Sequence, residues 1–286
     1  MKKKILLTVL ISIIFLTGCF KRDKMEDIDI ITTIYPIEYI TNRLYGENSN
    51  INSIYPREIN TKDFKLTKKL LKDYSNKDLL IYNGESEERE MAKSLLNKNK
   101  NLKIIDASYG VDLSYSTKNI WLNPSNTLMI AQNIRNELEE YITNPYIIDE
   151  INNQYELFKV NISELETEIK KTADNSEDKR IITLDESLKF LEKYGYTIIN
   201  LTENNENKEN NILLAKDLLA NKKLNYIFIT ENDQNNELIN ELKNNYDAEI
   251  ITFKALETIT EEDQNSNKDY LSIMYENLNL IKKELY

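Results

Sequence analysis

The side chains able to do chemistry in this 286-residue chain are carboxylates, amines and a single thiol. There is no histidine, and the only cysteine is Cys19. These absences exclude a Ser-His-Asp triad, a Cys-His dyad and any histidine metal site. Five glycines leave no Walker A loop and no G-x-G-x-x-G motif. Two carboxylates suffice to hydrolyse a glycoside, but no spacing marks such a pair, so we expect a protein that is not an enzyme.

Cys19 closes a segment that has the three regions of a secretory leader. Three lysines precede an apolar run, Ile5 to Leu16, that is too short to span a bilayer as a helix of about 20 residues. Leu16-Thr17-Gly18-Cys19 looks like a bacterial lipobox, where cleavage before the cysteine leaves its thiol carrying acyl chains such as palmitate. The alternative is an ordinary leader with an incidental cysteine. We therefore predict a signal peptide at 1–18, a tether at 19–27 and a lipid anchor on the outer face of the bacterial cytoplasmic membrane.

The charge of the chain bears on its partners. The formal net charge is −11, and removal of Lys2, Lys3 and Lys4 with the leader would make it −14. A surface that follows nucleic-acid phosphates needs lysine and arginine in excess. We therefore expect no nucleic-acid partner.

Strand-like and helix-like patterns alternate on both sides of one long helical segment. The predicted strands are Ile28–Thr33, Ile51–Tyr55, Asp78–Asn83, Leu102–Asp106, Arg180–Leu184, Thr197–Leu201, Tyr226–Thr230 and Glu249–Phe253. The predicted helices are Ile37–Tyr45, Leu66–Tyr74, Glu87–Leu96, Leu128–Ile142, Leu188–Tyr194, Ile212–Asn221, Glu237–Asn245 and Asp269–Leu285. Such alternation predicts an α/β protein with two lobes, each a mostly parallel four-stranded sheet covered by helices.

The long segment, Pro145 to Ala173, carries apolar residues at alternating steps of four and three. This periodicity predicts one uninterrupted helix of roughly 40 Å, at 1.5 Å per residue. A three-heptad coiled coil is the alternative, although coiled coils usually sustain the pattern longer. We predict a rigid strut and hence an N-terminal lobe at 28–144, an interlobe helix at 145–175 and a C-terminal lobe at 176–286. Ligands of open α/β sheets bind beyond the carboxyl ends of strands, so two facing lobes would form a ligand cleft.

Several motifs, taken in order, resemble one protein family. They are Ile31-Thr32-Thr33-Ile34-Tyr35-Pro36, Leu80-Ile81-Tyr82-Asn83-Gly84, Ile104-Ile105-Asp106-Ala107-Ser108, Asn119-Ile120-Trp121-Leu122-Asn123-Pro124, Ile227-Phe228-Ile229-Thr230-Glu231 and Asp269-Tyr270-Leu271 with Met274 to Leu278. Together they resemble the substrate-binding lipoproteins of zinc and manganese ABC importers. The resemblance covers essentially all of the mature chain. It implies a TroA-like substrate-binding fold and a receptor that acts as a monomer and docks on an ABC permease.

That family holds its metal with three histidines and one acid, two ligands from each lobe. The resemblance places Lys62, Asn119, Leu184 and Lys254 at these positions. A protonated ammonium has no lone pair to donate, and a leucine has no donor atom at all. The resemblance therefore implies that the inherited metal pocket is degenerate. We expect no bound cofactor, with zinc or manganese as the ion if the family function survives.

The residues are compatible with three alternative uses of the cleft. Lys62 and Lys254 facing one another, neutralised by Asp63, Asp185 or Glu231, would form an ion-pair latch. The same two lysines with Asn119 would instead suit a small anion. Asp185, Glu231, Asp63 or Glu58 would suit a hard cation such as manganese.

The sequence favours an importer receptor with a divergent ligand. The second interpretation is a surface lipoprotein that keeps the fold but transports nothing and acts through protein contacts.

Overall fold

The computed structural model describes residues 23–115, 118–202, 206–231 and 237–286. The predicted signal peptide and Cys19 lie outside the described residues. None of the helices in the described ranges is both long and apolar enough to cross a membrane.

The N-terminal lobe is built on a parallel sheet with strand order β2-β1-β3-β4. Its strands are β1 (Ile28–Thr32), β2 (Ser49–Ser53), β3 (Leu79–Tyr82) and β4 (Lys103–Asp106). Its helices are α1 (Tyr35–Tyr45), α2 (Lys68–Ser75), α3 (Glu88–Lys98) and α4 (Pro124–Tyr141). Strand β3 is buried along its whole length, as expected for a strand covered on both faces.

The C-terminal lobe repeats this arrangement with strand order β6-β5-β7-β8, again all parallel. Its strands are β5 (Arg180–Thr183), β6 (Thr197–Asn200), β7 (Tyr226–Thr230) and β8 (Glu249–Phe253). Numbering the interlobe helix α5 (Pro145–Asp174), the helices of this lobe are α6 (Lys208–Ala220), α7 (Glu237–Tyr246), α8 (Glu261–Asn265) and α9 (Tyr270–Leu285). The predicted fold class, two parallel four-stranded sheets covered by helices, is therefore confirmed.

Helix α5 is an unbroken helix of 30 residues, about 45 Å long at 1.5 Å per residue. Asn144 caps its start by accepting a hydrogen bond from the Tyr146 amide at 3.1 Å, and Pro145 occupies the first turn. The six apolar residues that predicted it are all buried: Ile151, Tyr155, Phe158, Ile162, Leu165 and Ile169. The helix packs against α1, α4 and α9 of the same chain. The stripe therefore belongs to an internal strut, not to a coiled coil with a second copy.

Several local predictions differ from the structure; strand β2, for example, begins at Ser49 and not at the predicted Ile51. Helix α4 begins at Pro124, before the predicted Leu128, because Asn123 caps it and accepts the Ser125 amide. Residues Lys189–Tyr194 form a 3₁₀ helix in place of an α-helix. Helix α8 was not predicted, since its five residues are polar and carry no apolar period.

Two apolar cores hold the lobes. The larger one includes side chains of both sheets, for example Ile30 and Phe228, and the stripe of α5. The smaller one covers the other face of the C-terminal sheet and contains Ile182, Leu184 and Leu219. Because the larger core is shared, the two lobes are packed onto one strut.

Candidate ligand cleft between the lobes

A cavity of about 630 Å³ opens at the carboxyl ends of the N-terminal strands and is the candidate ligand cleft. The loops after β2 and β3 and the turn at residues 118–121 form most of its wall, and Glu257 closes it from the C-terminal lobe. Its lining residues are Ile34, Tyr55, Thr61, Lys62, Asn83, Glu85, Ser86, Glu87, Glu88, Lys118, Asn119, Ile120, Trp121 and Glu257. This is the edge of a parallel sheet at which ligands bind.

Lys62 lies at this cleft, on an exposed 3₁₀ turn. The Asn60 side chain fixes the turn by accepting the Lys62 amide at 3.1 Å. The neighbouring Thr61 hydroxyl donates to Glu257 Oε2 at 2.7 Å. The Lys62 turn is therefore tied to the opposite lobe through Thr61.

An ion pair between the lobes comes from Lys118, which sequence reasoning did not single out. Lys118 Nζ donates to Asp185 Oδ2 at 2.5 Å. The adjacent Asn119 Nδ2 donates to Ser187 Oγ at 2.8 Å and is buried. Asn119 has φ of 51°, a left-handed conformation that asparagine tolerates better than most residues. These two contacts are called the latch below.

Both oxygens of the Asp185 carboxylate accept hydrogen bonds, from Lys118 across the lobes and from Ser187 of the same lobe. Its Oδ1 accepts the Ser187 amide at 2.8 Å, and its Oδ2 accepts the Ser187 hydroxyl at 2.8 Å in addition to Lys118. Removing one of these donors would leave a nearly buried charge short of a partner. Asp185, a predicted pocket acid, does not itself line the cavity, and its structural partner is an ammonium from the other lobe.

Leu184 and Lys254 do not line the cleft. Leu184 is 6 % exposed and packs in the smaller apolar core. Lys254 Nζ forms an ion pair with the buried Asp263 of α8. Burial opposes the charge of Asp263, but hydrogen bonds from Lys254 and Thr260 outweigh it and hold the pKa of that carboxyl below its ordinary value.

The expectation that Lys62 and Lys254 face one another is therefore wrong for Lys254. The sequence shows the lysine directly after β8 but not the unpredicted helix α8, which captures its ammonium. A latch does join the lobes, but Lys118 and Asp185 form it. The structure brings Lys62 and Asn119 to one cavity, and the assignment of all four positions as inherited ligands stays a prediction.

The other three candidate acids also lie away from the cavity lining. Asp63 is exposed on the Lys62 turn. Glu231 follows β7 and accepts the Ala255 amide at 3.0 Å. Glu58 accepts the Glu261 amide at 3.0 Å across the lobes. These contacts do not gather the acids around one point.

The only tryptophan of the sequence connects the lobes at the floor of the cleft. Trp121 Nε1 donates to the Ala255 carbonyl at 2.7 Å, and the Tyr270 hydroxyl donates to the Trp121 carbonyl at 2.6 Å. Both contacts are buried. The resemblance drew attention to this segment, and the structure shows that its tryptophan acts as an interlobe contact.

Glu88 is a buried acid of the cleft wall that sequence reasoning missed. Its Oε2 accepts the Asn83 amide at 2.9 Å. Burial raises the pKa of Glu88 to about 7, although the Asn83 hydrogen bond favours the charged form. The segment Asn83 to Glu88 follows β3 and contains three glutamates. This group of acids after a strand is the only feature of the sequence that points to Glu88 as a cleft residue.

The donor set decides what the cleft is able to hold. Within the described ranges, no three or more Asp, Glu, His or Cys side chains are grouped so that they could hold a metal ion. The cleft instead presents two lysines and four glutamates, most of them on the N-terminal lobe. Its chemistry is that of ion pairs and hydrogen bonds.

A double-mutant cycle tests the latch. We expect Lys118→Ala and Asp185→Ala to couple by about 1 kcal/mol in the free energy of unfolding, because the lysine is only partly screened by water. Urea unfolding of the wild type, both single variants and the double variant measures this coupling. The matched control is the exposed pair Lys222 and Asp247, also in hydrogen-bond contact, for which we expect a smaller value. Equal coupling for the two pairs would contradict a structural role for the latch.

Known proteins are similar to this chain in sequence and in fold. The sequence profile of the family described as zinc-uptake complex component A periplasmic (ZnuA) matches residues 30–284. The zinc-binding lipoprotein AdcA of Streptococcus pneumoniae is 22% identical over 309 residues, which cover 99% of this chain. This chain spans 61% of the length of that relative. The high-affinity zinc uptake system protein ZnuA of Bacillus subtilis is 21% identical, over 92% of this chain and 89% of its own length.

A solved structure shows the same architecture. The Zn(II)-bound ZnuA-like domain of Streptococcus pneumoniae AdcA superposes with a TM-score of 0.75 at 20% identity, over 91% of this chain and 99% of that domain. The predicted fold and the resemblance to metal-receptor lipoproteins are thus confirmed. The family is an uptake component, so the expectation that the chain is not an enzyme is confirmed as well. With the family profile matching residues 30–284 of its 286 residues, this protein belongs to the ZnuA family.

Proposed function

We propose that this protein is the extracytoplasmic substrate-binding lipoprotein of a metal-type ABC importer, with a degenerate metal pocket. Lipid on Cys19 would anchor it outside the cytoplasmic membrane, where it would act as a monomer and deliver its ligand to an ABC permease. The family and the zinc-uptake relatives support the receptor part of this proposal. The lipobox-like Leu16-Thr17-Gly18-Cys19 supports the anchor.

The absence of histidine carries the claim of a degenerate pocket. No histidine exists anywhere in the chain, so a site built from three histidines is chemically impossible here. Lys118 and Asp185, paired across the lobes, support the same conclusion, because the ammonium occupies a carboxylate that could otherwise donate to a metal.

Metal analysis of the purified mature protein tests this proposal. We expect no stoichiometric zinc or manganese and no change of melting temperature with either ion. A ligand at 100 times its Kd adds about 2.7 kcal/mol to the free energy of unfolding, so tight binding would be visible. The ZnuA-like domain of pneumococcal AdcA, solved with Zn(II) bound, is the positive control.

One equivalent of zinc, lost in Asp185→Ala or Glu231→Ala, would overturn the degenerate pocket. A screen of small oxyanions in the same assay tests whether the lysines hold an anion. Failure of the lipoprotein to co-purify with any permease would favour the second function, a surface lipoprotein that acts through protein contacts.

A further inference from the structure

Asp23, the first described residue, is fixed onto the start of the interlobe helix. Its Oδ2 accepts the amides of Thr143 and Asn144, both at 2.7 Å, and the Thr143 hydroxyl at 2.8 Å. Its Oδ1 accepts the Met25 amide at 2.9 Å. A carboxylate is also stabilised here by the positive end of the α5 dipole. These contacts are called the Asp23 clamp.

The residues after Asp23 are folded onto the N-terminal lobe as well. Met25 is buried, and its carbonyl accepts a hydrogen bond from the Tyr45 hydroxyl. Asn144 Nδ2 donates to Glu26 Oε1 at 3.1 Å, and the Asp27 amide donates to the Asn48 carbonyl at 2.8 Å. Residues 23–27 of the predicted tether are therefore part of the lobe.

The clamp leaves little chain between the protein and a lipid on Cys19. Only Phe20, Lys21 and Arg22 separate Cys19 from Asp23. Four residue steps span at most about 14 Å. Helix α5 is about 45 Å long, so the body it supports is several times longer than its tether. A tether this short fixes which end of the molecule meets the bilayer.

We propose that the surface around the start of α5 is the membrane-facing side of this protein, with the surface of the lipid bilayer as its partner. This inference rests on the lipid anchor of the proposed function. Tyr146 is 75 % exposed at that end of α5, and tyrosine suits the boundary between lipid and water. In the free protein, not docked on a permease, the N-terminal lobe then lies next to the membrane, and the far end of α5, with the C-terminal lobe, lies away from it.

Two probes at opposite ends of α5 test this orientation in the full-length acylated protein. Acylation blocks Cys19, so Tyr146→Cys and Tyr286→Cys each carry a single free thiol for a fluorophore. Tyr286 is 68 % exposed, and its hydroxyl reaches the Thr172 carbonyl, about 40 Å along α5 from Tyr146. In phosphatidylcholine vesicles containing nitroxide-headgroup lipid, we expect quenching several-fold stronger at position 146 than at 286. Equal or reversed quenching overturns the proposal.

The clamp itself is tested with Asp23→Ala. Loss of its hydrogen bonds frees residues 23 and 24 from the start of α5, so the tether lengthens as far as the buried Met25 and the quenching ratio falls. Asp149→Ala is the matched control, because Asp149 is an exposed acid on the same end of α5. An unchanged ratio in Asp23→Ala, with a melting temperature that shows a folded protein, overturns the clamp. A mass showing no lipid on Cys19 overturns the anchor of the proposed function, whereas lipid with equal quenching overturns the orientation alone.

Discussion

Replacing Phe158 by alanine is expected to lower the free energy of unfolding by about 3–5 kcal/mol. Phe158 is 0 % exposed at the middle of α5. Its ring lies 6.2 Å from that of Tyr39 on α1, and it belongs to the core that both lobes share. Truncation removes buried apolar surface and leaves a cavity that the long helix cannot close by bending.

Equilibrium urea unfolding followed by the fluorescence of Trp121 measures this loss. The signal is suitable because the Trp121 indole donates to Ala255 in the other lobe. The matched control is Leu157→Ala on the same helix. Leu157 is 57 % exposed, so its truncation is expected to cost no more than about 0.5 kcal/mol. Similar losses for both variants would show that α5 is not the strut we describe.

The contrast between residues 157 and 158 shows why the fold was predictable. Burial along α5 follows the period of the helix, so the apolar positions in the sequence identified the buried face directly. Most of the eight strands were predicted because they contain a short apolar run between amphipathic helices, whereas β2 has only Ile51 as an apolar residue and begins two residues before its predicted start. Helix α8 was not predictable in this way. Its five residues are held by the Thr260 cap and by ion pairs of Asp263, which are tertiary contacts.

The same distinction, between patterns in the sequence and tertiary contacts, explains which residues of the candidate site were predictable. Asp185 lies two residues after β5, beside the predicted pocket position Leu184, and was predicted among the pocket acids from that place in the sequence. The partner of Lys254 depends on α8, a helix without any pattern in the sequence. The burial of Glu88 depends on how tightly its loop packs. The Asp106 carboxylate accepts the Gly84 amide at 3.0 Å, so close that a side chain at Gly84 would collide with it.

The latch gives a physical account of how a receptor fold holds together without histidine ligands. In the family that the sequence resembles, a metal cation joins donors from both lobes. In this chain the positive charge of Lys118 joins the N-terminal lobe to the carboxylate of Asp185. The Lys118 ammonium is covalently part of the protein and, unlike a bound metal ion, cannot be released to a permease.

The second large effect is expected from Glu88→Gln, which should remove a pH dependence of stability near neutrality. Burial raises the pKa of Glu88 from 4.5 to about 7, and the charge of Glu257 adds to this rise. The folded protein then keeps the proton up to about pH 7, whereas the unfolded chain releases it near 4.5. Between these values the folded state binds more protons, so the free energy of unfolding falls as the pH rises.

The size of the effect follows from the two pKa values of Glu88. Each pH unit between them is worth about 1.4 kcal/mol, which amounts to about 3 kcal/mol in total. The amide introduced by Glu88→Gln would carry no charge and would still offer an oxygen to the Asn83 amide. The variant is therefore expected to match the wild type near about pH 4.5 and to be more stable by up to about 3 kcal/mol above about pH 7.5.

Urea unfolding of wild type and Glu88→Gln between about pH 4.5 and 8 tests this expectation. No histidine titrates in this range. Burial also raises the pKa of Glu284 to about 6, but that group is present in both proteins, so it cancels in their difference. Glu87→Gln is the matched control, since it removes one charge from an exposed neighbour. If the wild-type and Glu88→Gln curves run parallel across this range, the Glu88 carboxyl is ionised in the folded protein and is not the buried acid of the cleft wall.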